Sequence, residues 1–135
     1  MAGHGRFALA RLGLIVVLTV PLALFHGFVG WHKAFSSHAE LVQHKAWTAH
    51  LPLALGRAVG WLELALTAAL IIALLRPQLA RMGAVACGAL ALLEAISLLT
   101  HQIMQDGAPA LQNVATIVVT AFLGWLYAGR ASAAT

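Results

Sequence analysis

Four long apolar segments constrain the fold of this chain more than any other feature. They cover residues 12–29, 58–75, 79–103 and 111–128. Each segment has about 18 or more residues, or roughly 27 Å of helix, which is close to the thickness of a hydrocarbon core. With 61% hydrophobic and only 9% charged residues, the chain also lacks the polar surface of a soluble globule. We therefore predict an all-α membrane protein, a single domain over 1–135 that folds as an antiparallel four-transmembrane-helix bundle in a lipid bilayer.

The basic residues predict the orientation of the bundle. They occur singly at the ends of the apolar segments, with Arg6, Arg11, Arg76, Arg81 and Arg130 on one side and Lys33, Lys45 and Arg57 on the other. The positive-inside rule then predicts a multi-pass protein with both termini in the cytoplasm and the loop 31–55 outside. No cleavage site follows the first segment, so we expect it to be retained. Because no basic patch is formed, we expect no nucleic-acid partner.

The loop 31–55 contains the signature of a short surface helix. Ser37 followed by Glu40 predicts a capping box, and residues 39–49 are expected to form an amphipathic helix that Pro52 ends. Trp47, like the other three tryptophans, is interpreted as an interfacial anchor. Gly56 and Gly60 form a GxxxG pattern that predicts close packing of the second helix against the third.

Two acidic residues within the apolar segments mark a candidate site. A carboxylate in hydrocarbon costs about 2.5–3.5 kcal/mol unless it is paired, protonated or hydrated, so Glu63 and Glu94 are functional candidates. His101 lies seven residues after Glu94 on the same helix face, and His26 approaches the same level from the first helix. Lys33 is expected to snorkel to the surface, with pairing to Glu63 as the alternative.

Three interpretations of this cluster stay open. The glutamates could lock the bundle through hydrogen bonds to Thr67, Ser97 or Asn113. Glu63, Glu94, His101, His26 and Lys33 could instead bind the head group of a quinone-type or other amphipathic molecule as cofactor. A metal site is the third interpretation, and no HxxxH or ExxH spacing supports it. No motif identifies a catalytic residue, so whether the chain is an enzyme is left open.

The remaining histidines are weak metal candidates. His26, His32, His38, His44 and His50 recur every six residues, a spacing that would point them to three faces of a helix, and His101 is distant in sequence. We predict no metal site from this pattern. The single cysteine, Cys87, excludes a CxxC motif within the chain, so any redox chemistry requires a bound cofactor or a partner.

Two short motifs resemble the DoxX-like family of small four-helix bacterial membrane proteins. The end of the first segment reads Phe28-Val29-Gly30-Trp31-His32-Lys33-Ala34-Phe35, similar to a Gly-x-x-Lys-x-Phe element, and the second contains Gly60-Trp61-Leu62-Glu63, similar to a Gly-x-x-Glu element. The resemblance implies that Gly30, Lys33, Phe35, Gly60 and Glu63 are family-pattern positions. It also implies a location in the bacterial cytoplasmic (inner) membrane, beside other membrane subunits of a redox complex. Members of that family are associated with thiosulfate:quinone oxidoreduction and with membrane oxidoreductase complexes that respond to oxidative stress.

The function expected from these observations is that of a small integral membrane subunit of a respiratory or sulfur-compound redox complex, one that contributes to a quinone-type site. The main alternative is a structural or assembly subunit without a ligand. The histidines keep a third alternative open, a membrane metal-handling or transport protein.

Overall fold

The computed structural model describes residues 2–108 and 110–132, and over these residues it is helical with no strand. Two short 3-10 helices, Trp47–His50 and Pro77–Leu79, lie between the α-helices. The α-helices are α1 (Ala2–Phe35), α2 (His38–Gln43), α3 (Leu53–Leu75), α4 (Ala80–Met104) and α5 (Ala110–Ser132). The all-α prediction is confirmed.

Four of the helices are long and apolar enough to cross a membrane: α1, α3, α4 and α5. Their outward faces carry large apolar side chains such as Leu24, Leu75 and Val85, each more than 70% exposed, as expected for surfaces that contact lipid. Many polar side chains of the spans, Glu63 and Glu94 among them, are buried inside the bundle. The chain is therefore a multi-pass membrane protein with a four-helix bundle, as predicted.

The four long helices form a ring in the order α1, α3, α4, α5. α1 packs extensively on α3, and α4 packs on both α3 and α5, whereas α1 and α5 share a much smaller interface. Residues 36–52 and 105–108 lie at the same end of the bundle, which we call the loop end. The tight connection at 76–79 lies at the opposite end, which we call the turn end.

The helices extend further toward the loop end than hydropathy alone predicts. α1 continues to Phe35 instead of stopping at residue 29, and α3 begins at Leu53 instead of residue 58, so the loop shortens to 36–52. The reason is that Lys33, which reads as a loop residue, is buried in a helix and paired. Pro52 occupies the N-cap position of α3 and does not end the preceding helix. Proline is tolerated there because the start of a helix does not use the backbone N–H that proline lacks.

The capping box of the surface helix is confirmed. The Glu40 backbone N–H donates to Ser37 Oγ at 3.3 Å, and the Ser37 backbone N–H donates to Glu40 Oε2 at 2.7 Å. This backbone hydrogen bond holds the pKa of Glu40 below its usual value. The helix itself ends at Gln43, before a left-handed Lys45 (φ 52°) and the 3-10 turn, so the predicted continuous helix over 39–49 is wrong.

The glycine pattern of α3 packs against α1, so the role predicted for Gly56 and Gly60 is wrong. The predicted contact between the second and third long helices does form, but elsewhere: a Cβ on Gly83 of α4 would lie 2.8 Å from the Ala73 Cβ of α3. A Cβ on Gly60 would lie 2.5 Å from the Ala34 backbone nitrogen and 2.8 Å from the Gly30 carbonyl oxygen, while Gly56 faces Thr48. These contacts mean that α1 and α3 touch backbone to backbone near the loop end. This crossing positions the candidate site.

Candidate functional site

A buried ion pair joins α1 to α3 at their glycine crossing. The Lys33 ammonium donates a hydrogen bond to Glu63 Oε1 at 2.6 Å, and both side chains are almost fully buried. A Cβ on Gly30 would lie only 3.0 Å from the Glu63 Cβ, so the absence of side chains at the crossing lets the pair form. Each charge offsets the desolvation of the other. The expected snorkelling of Lys33 is therefore wrong, and its alternative, pairing with Glu63, is found.

The second membrane carboxylate has a looser partner. Glu94 Oε1 lies 3.8 Å from His26 Nδ1, which is beyond hydrogen-bond distance. Neither ring nitrogen of His26 has a hydrogen-bond partner among the described residues, although the side chain is buried. Ser97 and Asn113, which were expected to bind a glutamate, bind each other instead, with Asn113 Nδ2 donating to Ser97 Oγ at 2.9 Å. The Glu94 carboxylate is thus left available to a ligand.

His101 is held by an acidic residue that the sequence reasoning missed. His101 Nδ1 lies 2.6 Å from Asp106 Oδ2, and His50 Nε2 lies 3.5 Å from the same oxygen. Desolvation acts to raise the pKa of Asp106, but hydrogen bonds from His101 and the Ala108 N–H outweigh it and hold that pKa below its usual value. A carboxylate beside Nδ1 favours the tautomer with hydrogen on Nδ1, which leaves Nε2 free to accept a proton.

A cavity of about 450 Å³ lies inside the loop end, and its size is in the range of about 300–1,000 Å³ typical of small-molecule sites. One part of its wall is apolar and comes from Phe25, Phe28, Val29, Ala46 and Trp47. The other part is polar, and it comprises His32, Lys33, His44, Lys45, Glu94, Ser97, His101, Gln112 and Asn113. This mixture suits a molecule with an apolar body and polar substituents.

The loop 36–52 covers one side of this cavity. Trp47 is only 6% exposed, and the Lys33 ammonium lies 5.4 Å from the centre of its ring, within range of a cation–π contact. Lys45 Nζ donates to the Gly107 carbonyl oxygen at 3.4 Å, which ties the loop to the turn between α4 and α5. The anchor interpretation is therefore wrong for Trp47, which forms part of the cavity wall, whereas Trp31, Trp61 and Trp125 are exposed on the membrane surface.

The polar groups of the cavity can bind oxygen atoms and exchange protons. An ammonium carries three hydrogens, and within the described residues Lys33 uses one of them in its bond to Glu63, so others can be donated to a ligand carbonyl. His101 offers Nε2 as an acceptor, and Glu94 offers a carboxyl group that accepts when ionised and donates when protonated. A donor and two proton-exchanging groups thus line one cavity.

The structure brings three of the five predicted site residues to the cavity wall: Lys33, Glu94 and His101. Glu63 lies behind Lys33 and His26 lies beside Glu94, so these two contact wall residues without lining the cavity. The sequence feature that could have pointed to Asp106 as a partner of His101 was its position five residues after that histidine. Gln105 adopts a left-handed conformation (φ 51°) that turns the chain at the end of α4, before Asp106.

The regularly spaced histidines separate in the structure. His32 and His44 meet edge to face with ring centres 5.0 Å apart at the cavity, His38 is exposed, and His50 approaches Asp106. Within residues 8–108 and 110–132, whose side chains the structure describes, no three or more His, Cys, Asp or Glu side chains form a group that could hold a metal ion. The metal interpretation therefore gains no support from the described part of the chain.

No protein-family model, curated protein or solved structure matches this chain. The resemblance to the DoxX-like family therefore depends on its short motifs alone. The fold gives those motifs a physical meaning, because Gly30, Lys33, Gly60 and Glu63 all lie at the crossing of α1 and α3. Phe35 packs edge to face on Trp61, with the two ring centres 5.1 Å apart.

Proposed function

We propose that this chain is a small membrane subunit of a respiratory or sulfur-compound redox complex and that the loop-end cavity contributes a quinone-type site. The observation that carries the proposal is the cavity itself, in which Lys33, Glu94 and His101 line the same space as apolar side chains such as Phe25 and Trp47. A quinone head group is a flat ring with carbonyl oxygens at its edge, so it needs an apolar slot and a few fixed polar groups.

The polar groups fit the proton chemistry of such a head group. The Lys33 ammonium would hold a quinone carbonyl oxygen, and His101 would exchange a proton with the corresponding hydroxyl through Nε2. Asp106 would keep His101 in the required tautomer from its position at the membrane surface. The orientation predicted from the basic residues places this exchange on the outer side of the membrane.

In this proposal the electrons come from another subunit. Reduction of a quinone takes up electrons and protons together, and this chain supplies candidates only for the protons. Cys87, the single cysteine of the sequence, is buried in the apolar core. A partner protein with a redox cofactor is therefore part of the proposal, in agreement with the complexes that the DoxX-like resemblance implies.

A structural subunit without a ligand is the second candidate, and the Lys33–Glu63 pair favours it. A buried ion pair at a backbone crossing fixes the register of two helices whether or not anything binds beside it. The two candidates differ in the cavity, since a purely structural subunit has no need of Glu94 or His101 facing an accessible space. An experiment that measures ligand binding in the cavity therefore decides between the two candidates.

We suggest a binding titration on the full chain in lipid nanodiscs. Trp31, Trp61 and Trp125 are replaced by Phe, which leaves Trp47 in the cavity wall as the single fluorescent reporter. The probe is a water-soluble dimethoxy-methyl-benzoquinone without a tail. Saturable quenching of Trp47 is expected, and Glu94→Gln or His101→Ala should weaken it about tenfold, the change given by about 1.4 kcal/mol of lost interaction.

Matched controls come from exposed residues of the loop 36–52. Glu40→Gln removes a carboxylate and keeps the capping function, and His38→Ala removes an exposed imidazole, so neither should change the titration. Quenching that rises linearly with the probe, or that is equal in all variants, would contradict the quinone-type site and favour the structural subunit. Copurification from mild detergent followed by mass spectrometry tests the partner separately, since a haem or flavin protein is expected among the bound proteins.

A further inference from the structure

A second, shallower hollow lies between α1 and α5, next to the loop-end cavity. It has a volume of about 280 Å³, and Phe25 lines both spaces. The residues of this groove are Leu18, Pro21, Leu22 and Phe25 on α1 and Ala115, Thr116 and Val119 on α5. It runs from the cavity toward the turn end, along the seam where the ring of helices is most loosely joined.

The groove is apolar in its chemistry. Its single polar side chain is Thr116, whose hydroxyl donates to the Gln112 carbonyl oxygen of its own helix at 2.9 Å. That hydrogen bond satisfies the hydroxyl, so the groove presents hydrocarbon along its whole length. The groove therefore fits an alkyl or isoprenoid chain and no polar group.

We infer that the α1–α5 groove holds the apolar tail of the ligand whose head group occupies the loop-end cavity, and that the ligand reaches the cavity sideways from the bilayer through this seam. The inference rests on the proposed function, and it adds the ligand class: an amphipathic molecule with a long hydrocarbon tail. The shared Phe25 wall supports this occupant, since the apolar substituent of a head group in the cavity would pass this side chain to enter the groove.

The groove acts mainly as a path for the tail. Lipid chains are as apolar as the groove, so moving a tail from lipid into it yields little hydrophobic free energy. A head group bound inside a closed bundle, however, would leave its tail without space. Closing the seam should therefore exclude tailed ligands and spare the same head group without a tail.

The test compares two probes, the dimethoxy-methyl-benzoquinone with and without a decyl tail, by Trp47 quenching in nanodiscs. Ala115→Phe narrows the groove, and Ala95→Phe places the same side chain on the exposed face of α4 as a matched control. We expect Ala115→Phe to weaken the decyl probe at least tenfold and the tail-less probe less than twofold. Ala95→Phe should change neither.

The outcomes separate the two ideas. Equal effects of Ala115→Phe on both probes, or none on the decyl probe, would overturn the groove and leave the proposed function standing. Failure of both probes to bind the unaltered chain would overturn the proposed function and the groove together. As a measurement that needs no substitution in the groove, a decyl tail ending in a diazirine should photolabel Leu18, Leu22 or Val119, and labelling confined to other lipid-facing residues would also overturn the inference.

Discussion

The two membrane glutamates occupy regions of the molecule that differ in how completely their charges are matched. At the α1–α3 crossing, Glu63 is paired with the Lys33 ammonium, which lies 2.6 Å from Oε1 of the carboxylate. In the cavity, Glu94 lies 3.8 Å from the His26 imidazole, beyond hydrogen-bond distance, and borders an accessible space. The same residue type in an apolar helix thus serves packing at one position and stays available to a ligand at the other.

Burial of a carboxylate in a membrane helix therefore does not by itself identify a functional site. What distinguishes the two is the neighbouring helix: two glycines bring the α1 backbone against α3 and place Lys33 beside Glu63. Among the described residues, no lysine or arginine lies within 4.0 Å of the Glu94 carboxylate. The comparison therefore predicts large effects on stability at the crossing and effects mainly on binding in the cavity.

The largest effect is expected from breaking the ion pair on one side. Lys33→Met leaves Glu63 buried without its counter-charge, and we expect a loss of about 3–5 kcal/mol in the free energy of unfolding. The double variant Lys33→Met with Glu63→Leu removes both charges and should recover most of this loss. Unfolding in mixed micelles with increasing SDS, followed by circular dichroism, measures both.

Arg57→Met is the matched control for this experiment, because Arg57 is an exposed cation near the start of α3. It should cost less than about 1 kcal/mol, as exposed charges usually do. A double variant as unstable as Lys33→Met alone would mean that packing of the side chains, and not the unpaired charge, holds the crossing together.

A smaller effect is expected from separating the two helices. Gly60→Ala places a Cβ against the α1 backbone, where no flexible side chain can move aside, and should destabilise the bundle by about 1–3 kcal/mol. Gly88→Ala is the control, since a Cβ there meets nothing within 4 Å. The same SDS titration applies, and equal stability of the two variants would contradict the backbone contact.

Sequence reasoning reached the fold because hydrocarbon permits few solutions. Four apolar segments of membrane length require helices, and short connections require neighbours to run antiparallel. The ends of the helices were harder to predict, since hydropathy reads Lys33 as a loop residue and cannot show that Glu63 lies opposite it. The helix predicted to cover the Gly56–Gly60 pattern was wrong for a related reason, because spacing identifies a face of α3 but not the helix that packs on it.

In the cavity we expect binding to change while the fold persists. Glu94→Gln and His101→Ala should each alter the free energy of unfolding by less than about 1.5 kcal/mol and weaken the tail-less benzoquinone about tenfold. Because both side chains line one cavity about two helical turns apart, a bound head group would couple them. The double variant should therefore lose less binding than the product of the two single losses, and strict additivity would contradict a shared ligand.

The candidate site was only partly predictable, because its completion depends on non-helical backbone. Glu94 and His101 were identifiable from their spacing on one helix face. Asp106 and Trp47 were not, since one follows a left-handed Gln105 and the other lies on a 3-10 turn tied down by Lys45. Such positions carry no hydropathy period, so a sequence shows the residue types without showing where they point.

The smallest expected effect concerns Asp106. It tests whether the contact between Asp106 and His101 contributes to the free energy of unfolding. Its folded pKa lies below the ordinary value of 3.8, so its stabilising contribution is complete above that value and is lost as pH falls through the folded pKa. Asp106→Asn should therefore lower the free energy of unfolding slightly near neutral pH and reduce its decline under acid conditions. Glu40 also has a lowered pKa, so Glu40→Gln is the background in which unfolding is followed between about pH 2 and 6. An acid decline unchanged by Asp106→Asn in that background would show that the His101–Asp106 contact contributes nothing to the fold and would leave tautomer control as its remaining role.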